Sequence, residues 1–109
     1  SLYNLISGHE RQTEMISGVL IVHDTLPDGS RVALNRNSTL VFPEKFEKRF
    51  REVKLTGEAF FEVNHDAMHP FIVHAGTAGV RVLGTSFRVK ASPGGPVEVS
   101  VTEGKVLFF

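Results

Sequence analysis

The chain has 109 residues, with twelve basic against twelve acidic side chains, no cysteine and no tryptophan. That length makes one domain able to bury roughly two-thirds of its unfolded surface, and the balanced charge gives no electrostatic pull toward nucleic acid or an anionic membrane. The absence of cysteine excludes thiol catalysis, thiolate metal sites and disulfides together.

Residues 1–18 are polar with scattered Leu, Ile and Met, and neither the helical nor the strand period fits them well. Gly18-Val-Leu-Ile-Val22 is a short apolar run suited to a strand. Leu26-Pro-Asp-Gly-Ser30 is a turn: proline fixes φ, Asp28 caps the turn, and Gly29 accepts positive φ. A hairpin into Arg31-Val-Ala-Leu34 follows, then a turn at Asn35-Arg-Asn-Ser38 and a strand carrying Leu40 and Phe42. Asn37-Ser38-Thr39 matches the glycosylation tripeptide, which has meaning only in a eukaryotic secretory setting.

Phe42, Phe46 and Phe50 recur every four residues with charges between them, which makes 43–50 the helical candidate of the chain. No Ser, Thr, Asp or Asn stands before Pro43 as a cap, so a charged loop or single turn with its phenylalanines tucked under a sheet is the expectation. In Val53-Lys-Leu-Thr-Gly-Glu-Ala-Phe-Phe-Glu-Val63 the apolar residues share one parity and the polar residues the other, as a half-buried strand requires; Phe60 alone breaks the polar face. His69-Pro-Phe-Ile-Val73 leads into a further strand.

In Val80-Arg-Val-Leu-Gly-Thr-Ser-Phe-Arg-Val89 the apolar face changes parity across Gly84, and in the last segment it changes again across Gly104. A bulge or corner does this, with Gly84 expected at positive φ, so the sheet should fold over on itself. The segments centred on Gly57, Gly84 and Gly104 resemble one another at unequal separations, which is compatible with an irregular stack of short strands. Ser92-Pro-Gly-Gly-Pro96 is a loop, and Val106-Leu-Phe-Phe109 stops in mid-pattern, so the chain reads as one domain over 1–109 cut from a longer protein.

The side chains offer few reactive groupings. His65, His69 and His74 lie close together in sequence, but Pro70 places the first two in a loop, and no HExxH or second cluster completes a metal shell. Gly57-Glu-Ala-Phe-Phe-Glu-Val-Asn-His65 has a faint likeness to the second metal motif of cupins, yet His23 stands alone where a His-x-His would be needed. Glu58 and Glu62 share a strand face, an ordinary placement for solvated charges as well as for an acid and base pair. Gly76-Thr-Ala-Gly79 and Gly94-Gly95 are turns lacking a phosphate-loop context. Phe60 is the residue nominated for a second-layer contact or a partner. No catalytic, cofactor or metal residues are assigned, and the protein-contacting residues are unknown at this stage.

The order Pro27-Asp-Gly-Ser-Arg-Val-Ala-Leu-Asn35, Val53–Val63, His69–Val73 and Val80–Val89 resembles the FecR family of envelope anti-sigma regulators, most closely the versions common in Bacteroidetes. Asp28, Gly29, Gly57, Phe61, Pro70 and Phe71 fall on the family's motif positions, as do Leu83, Gly84, Thr85 and Phe87. The resemblance implies an all-β domain, an irregular, twisted solenoid-like or sandwich-like stack of short strands with glycine bulges. It further implies the periplasmic sensor domain of a single-pass inner-membrane anti-sigma factor. Such a domain would relay a signal from an outer-membrane TonB-dependent transducer to a cytoplasmic ECF sigma factor through protein contacts. The alternative is a small-ligand or carbohydrate-binding β-domain, against which one tyrosine and no tryptophan weigh. An enzyme comes third. The segment before Leu26 departs from the family pattern and is expected to be an added hairpin.

Overall fold

The computed structural model describes residues 11–109. Ten strands carry the chain: β1 (Gln12–Ile16), β2 (Val22–Thr25), β3 (Arg31–Leu34), β4 (Thr39–Pro43), β5 (Arg51–Glu62), β6 (Phe71–Ala75), β7 (Ala78–Val82), β8 (Ser86–Ala91), β9 (Val97–Glu103) and β10 (Leu107–Phe108). No helix occurs among the described residues, so the fold is all-β.

β5 organises the rest. Its first half pairs antiparallel with β4 and parallel with β6, Val53 lying opposite Val73. From Gly57 onward it pairs antiparallel with β3 and β8, Phe61 lying opposite Val32 and Phe87. Two ladders therefore share this strand, one in the order β1-β4-β5-β6-β7-β10 and the other β2-β3-β5-β8-β9. The backbone turns between them at Gly57, whose φ of 100° is a conformation that costs a side-chain-bearing residue about 1–3 kcal/mol.

The chain also changes ladder between β1 and β2, between β3 and β4, between the end of β5 and β6, between β7 and β8, and between β9 and β10. This accounts for the parity flips. Val80 and Val82 reach the core from one ladder, Phe87, Val89 and Ala91 from the other, and all are buried. Gly84 and Gly104 are thus corners rather than bulges; the register irregularity of the β8–β9 pair falls beside Ser86, not on a glycine. Gly104 has a φ of 91°, but Gly84 is not among the positive-φ glycines. Its need for glycine is steric, since a Cβ there would lie 2.4 Å from the His65 Cα.

One core joins the two ladders. The fully buried Phe61 ring lies 5.3 Å from Phe87 within its own ladder and 5.9 Å from Phe71 in the other. Burying side chains of this size stabilises by about 1.5–3 kcal/mol each. Segment 44–50 is a loop: Phe46 meets Phe71 edge-on at 6.1 Å, and the Arg49 and Arg81 guanidinium groups each lie 5.5 Å from the Phe50 ring. Phe42 and Phe46 thus reach the core without a helix, whereas Phe50 stays half-buried against the two arginines.

The N-terminal expectations need two corrections. The apolar run 18–22 is not a strand; β2 begins at Val22, and Val19, Leu20 and Ile21 are exposed where the chain passes between ladders. Nor do the described residues before Leu26 form an added hairpin, because β1 pairs with β4 and β2 with β3, not with each other. β1 was illegible because only Met15 of its five residues is buried.

Candidate functional site

The most heavily bonded side chain of the domain is Arg51, at the first position of β5 and on the face that carries Val53 and Leu55 into the core. Only 3% of it is exposed. Its Nη1 donates to Asp28 Oδ2 at 2.7 Å and to the Asn64 carbonyl at 2.8 Å. Nε donates to the His69 carbonyl at 2.6 Å, and Nη2 to the Leu83 carbonyl at 3.1 Å. The guanidinium sits 5.5 Å from the Phe71 ring, and the Arg51 amide donates to the Pro70 carbonyl at 2.8 Å.

Asp28 is held for this role by its own turn. Gly29 donates its amide to the Leu26 carbonyl and takes a φ of 86°, while Leu26 N donates to the Ser30 carbonyl. Asp28 Oδ1 accepts from Ser30 N at 3.0 Å, and Oδ2 accepts from Ser30 Oγ at 2.8 Å. Asn64 closes the circuit, its Nδ2 donating to the Asp28 carbonyl and its amide to Ser30 Oγ, both at 2.9 Å. Three separate connections, 26–30, 64–70 and 83–85, are thereby tied to the start of β5. A guanidinium carries five N–H donors, and those of Arg51 point at protein oxygens on every side. It is a fastener, with no free fork for an anionic ligand.

The bend at the middle of β5 is fastened by hydroxyls. Buried Ser17 and Ser38 bond each other, Ser38 N donating to Ser17 Oγ at 2.9 Å and Ser17 N to the Ser38 carbonyl at 2.9 Å. Ser17 Oγ also donates to the Asn35 carbonyl. Ser38 Oγ in turn accepts from Glu58 N at 3.0 Å, beside Gly57, where a Cβ would lie 2.2 Å from that same oxygen.

A model of the FecR protein family matches residues 21–107, which is most of the chain. The chain belongs to the FecR family. Two crystal structures of a candidate anti-sigma factor from Parabacteroides distasonis share 38% of its sequence, with TM-scores of 0.74 and 0.73 over 90% and 89% of this chain. Those alignments take in 51% and 50% of the solved chains, so the FecR chain described here spans about half the length of these relatives. No curated protein matches it significantly.

Several of the FecR motif positions gather around Arg51, while Gly57 marks the bend of β5 and Phe61 and Phe87 fill the core. Asp28 is the ion-pair partner of Arg51, Phe71 its aromatic support, and Pro70 and Leu83 supply carbonyls. Gly84 packs on the His65 backbone, and the Thr85 carbonyl accepts from Val63 N at 2.9 Å. The Thr85 hydroxyl is buried and has no hydrogen-bond partner among the described residues. Arg51 itself was missed by sequence reasoning. Its signal was available: it is a charged residue on the apolar parity of β5.

The other candidates are dispersed. His69 Nδ1 meets Asp66 Oδ2 at 2.9 Å, and this hydrogen bond holds the exposed Asp66 carboxyl below its ordinary pKa. His74 Nε2 meets Glu52 Oε1 at 2.8 Å on another face. Among the described residues no three His, Asp or Glu side chains are grouped to hold a metal. Glu62 pairs with Arg31 at 2.8 Å, while Glu58 accepts from Asn35 Nδ2 at 2.6 Å and lies 3.3 Å from Arg88. Phe60 is half-buried in an open cleft of about 440 Å³ on the outer face of its ladder, with His23, Asp24 and Arg31. Tyr3 lies outside the described residues.

Proposed function

We propose that this FecR domain is the signal-receiving part of an anti-sigma regulator and acts by binding proteins, without catalysis. The reading is supported by the FecR match over 21–107 together with the likeness to a candidate anti-sigma factor at 38% identity. The geometry agrees in one respect that carries the argument: the family's recognisable residues are consumed in fastening loops and corners. Recognition is then left to the outer faces and strand edges of the sheet.

In this proposal the domain is one unit of a longer protein with a single membrane anchor and stands on the periplasmic side of the inner membrane. It receives an outer-membrane TonB-dependent transducer, and a cytoplasmic segment of the same protein holds an ECF sigma factor. No helix among the described residues is long and apolar enough to cross a membrane. The test is a sigma-dependent promoter reporter in the native host, with the codons for 11–109 removed in frame from the full gene. Loss of the reporter's response to the inducing nutrient is expected. An unchanged response would sink the proposal.

A further inference from the structure

We propose that β9 is the receiving edge of this domain, and that it takes up an extended strand of another protein in which apolar and basic side chains alternate. The inference deepens the signal-receiving reading above and rests on it. Among the described residues β9 pairs with β8 alone, which leaves one row of its backbone N–H and C=O groups for a further strand.

The edges of this ladder differ in how well they are guarded. β2, at the far side, has four residues, and the Asp24 carboxylate accepts from the Thr25 amide at 2.7 Å, which occupies a donor that a visiting strand would need. β9 has seven residues, and its register against β8 is regular from Val97 to Val101. Proline and glycine are absent from it, and no side-chain bond to its backbone is found among the described residues.

The chemistry of the visiting strand follows from the rows that run across the ladder. On the core-facing side Val97, Val99 and Val101 lie opposite Ala91, Val89 and Phe87, all three of which are buried. Val101 nevertheless remains 43% exposed, with no strand beyond it among the described residues. A strand laid along β9 covers these valines if its own residues on that face are apolar. On the outer face, Glu58, Lys90 and Glu98 stand in one cross-strand row of alternating sign. The next position in that row calls for a base, since opposite charges directly across a ladder stabilise and like charges oppose pairing. A second copy of β9 would bring only acids, Glu98 and Glu103, to a face that already carries them. This argues for a foreign strand over self-association.

The test uses two blocked seven-residue peptides, one alternating valine with lysine and one alternating valine with glutamate, mixed with the 109-residue chain in moderate salt. Amide hydrogen exchange is expected to show new protection at alternate positions of Val97–Val101 with the lysine peptide, and at least tenfold weaker binding of the glutamate peptide. Glu98→Lys, an exposed change whose like-charge contact with Lys90 should lower the thermal melt only slightly, is expected to reverse the preference. Protection elsewhere, equal binding of the two peptides, or an unmoved preference in Glu98→Lys would overturn the assignment. Concentration-dependent self-association that protects β9 without peptide would give the edge to a second copy and overturn it equally. None of these results would disturb a positive reporter experiment, so failure of the edge assignment is separable from failure of the signalling role.

Discussion

The start of β5 and the bend at its middle solve the same problem by different means. At Gly57 the ladders are joined by continuous backbone, and neutral hydroxyls of Ser17 and Ser38 knit the neighbouring corners to it. At Arg51 the chain has to gather three connections that are distant in sequence, and it does so with one buried charge. Neutral hydrogen bonds contribute about 0.5–1.5 kcal/mol each, and their loss is tolerable one at a time. A buried ion pair gives little net stability while intact, yet removing one partner costs about 3–5 kcal/mol. The Arg51 site is therefore intolerant of change, whereas the Ser38 corner can be weakened in steps.

Substituting Arg51 should have the largest effect on this contrast. Arg51→Met is expected to lower stability by about 3–5 kcal/mol in urea titration, because Asp28 and three carbonyls lose their donor together. The double variant Arg51→Met with Asp28→Leu should recover little of that loss; full recovery would show that the ion pair alone matters and that the carbonyl bonds are incidental. Gly84→Val comes next. With the His65 Cα only 2.4 Å from the new Cβ, a loss of about 3 kcal/mol is expected, and a melting temperature equal to the parent's would refute the close approach.

At the mid-strand bend, Ser38→Ala leaves the Glu58 amide without its acceptor and should cost about 1–3 kcal/mol by the same titration. A cost as large as that of Arg51→Met would abolish the distinction between the two sites. The smallest effect belongs to the solvent-exposed pair of Arg31 with Glu62: Arg31→Ala should change stability by less than about 1 kcal/mol, and that small change should shrink further in high salt.

Much of the fold was legible because β-periodicity is local. The odd-parity residues of β5, the turn at Asp28 and Gly29, and the corners at Gly84 and Gly104 could each be read from a few neighbouring residues. What escaped reading depends on contacts distant in sequence. β1 shows no pattern because its burial is supplied by β4 alone, and Val19 to Ile21 resemble a strand because composition cannot reveal that a run faces solvent. The positive φ expected at Gly84 belongs instead to Gly57, where parity is unbroken and nothing in the local pattern marks a corner. Arg51 was legible in principle, as a charge in an apolar register. Its partners lie 13 to 32 residues away, which is why no motif announced it.

A strand owned by both ladders has a mechanical consequence. Opening either half exposes the core that Phe61 shares with Phe71 and Phe87, so the two halves are expected to open together beyond fraying of the edge strands. Partial unfolding, the usual way in which a small domain yields to force or to a protease, is thereby suppressed, and melting should be all-or-none. A pull applied at one margin of such a body is passed to the opposite margin nearly undiminished, until the whole structure gives way.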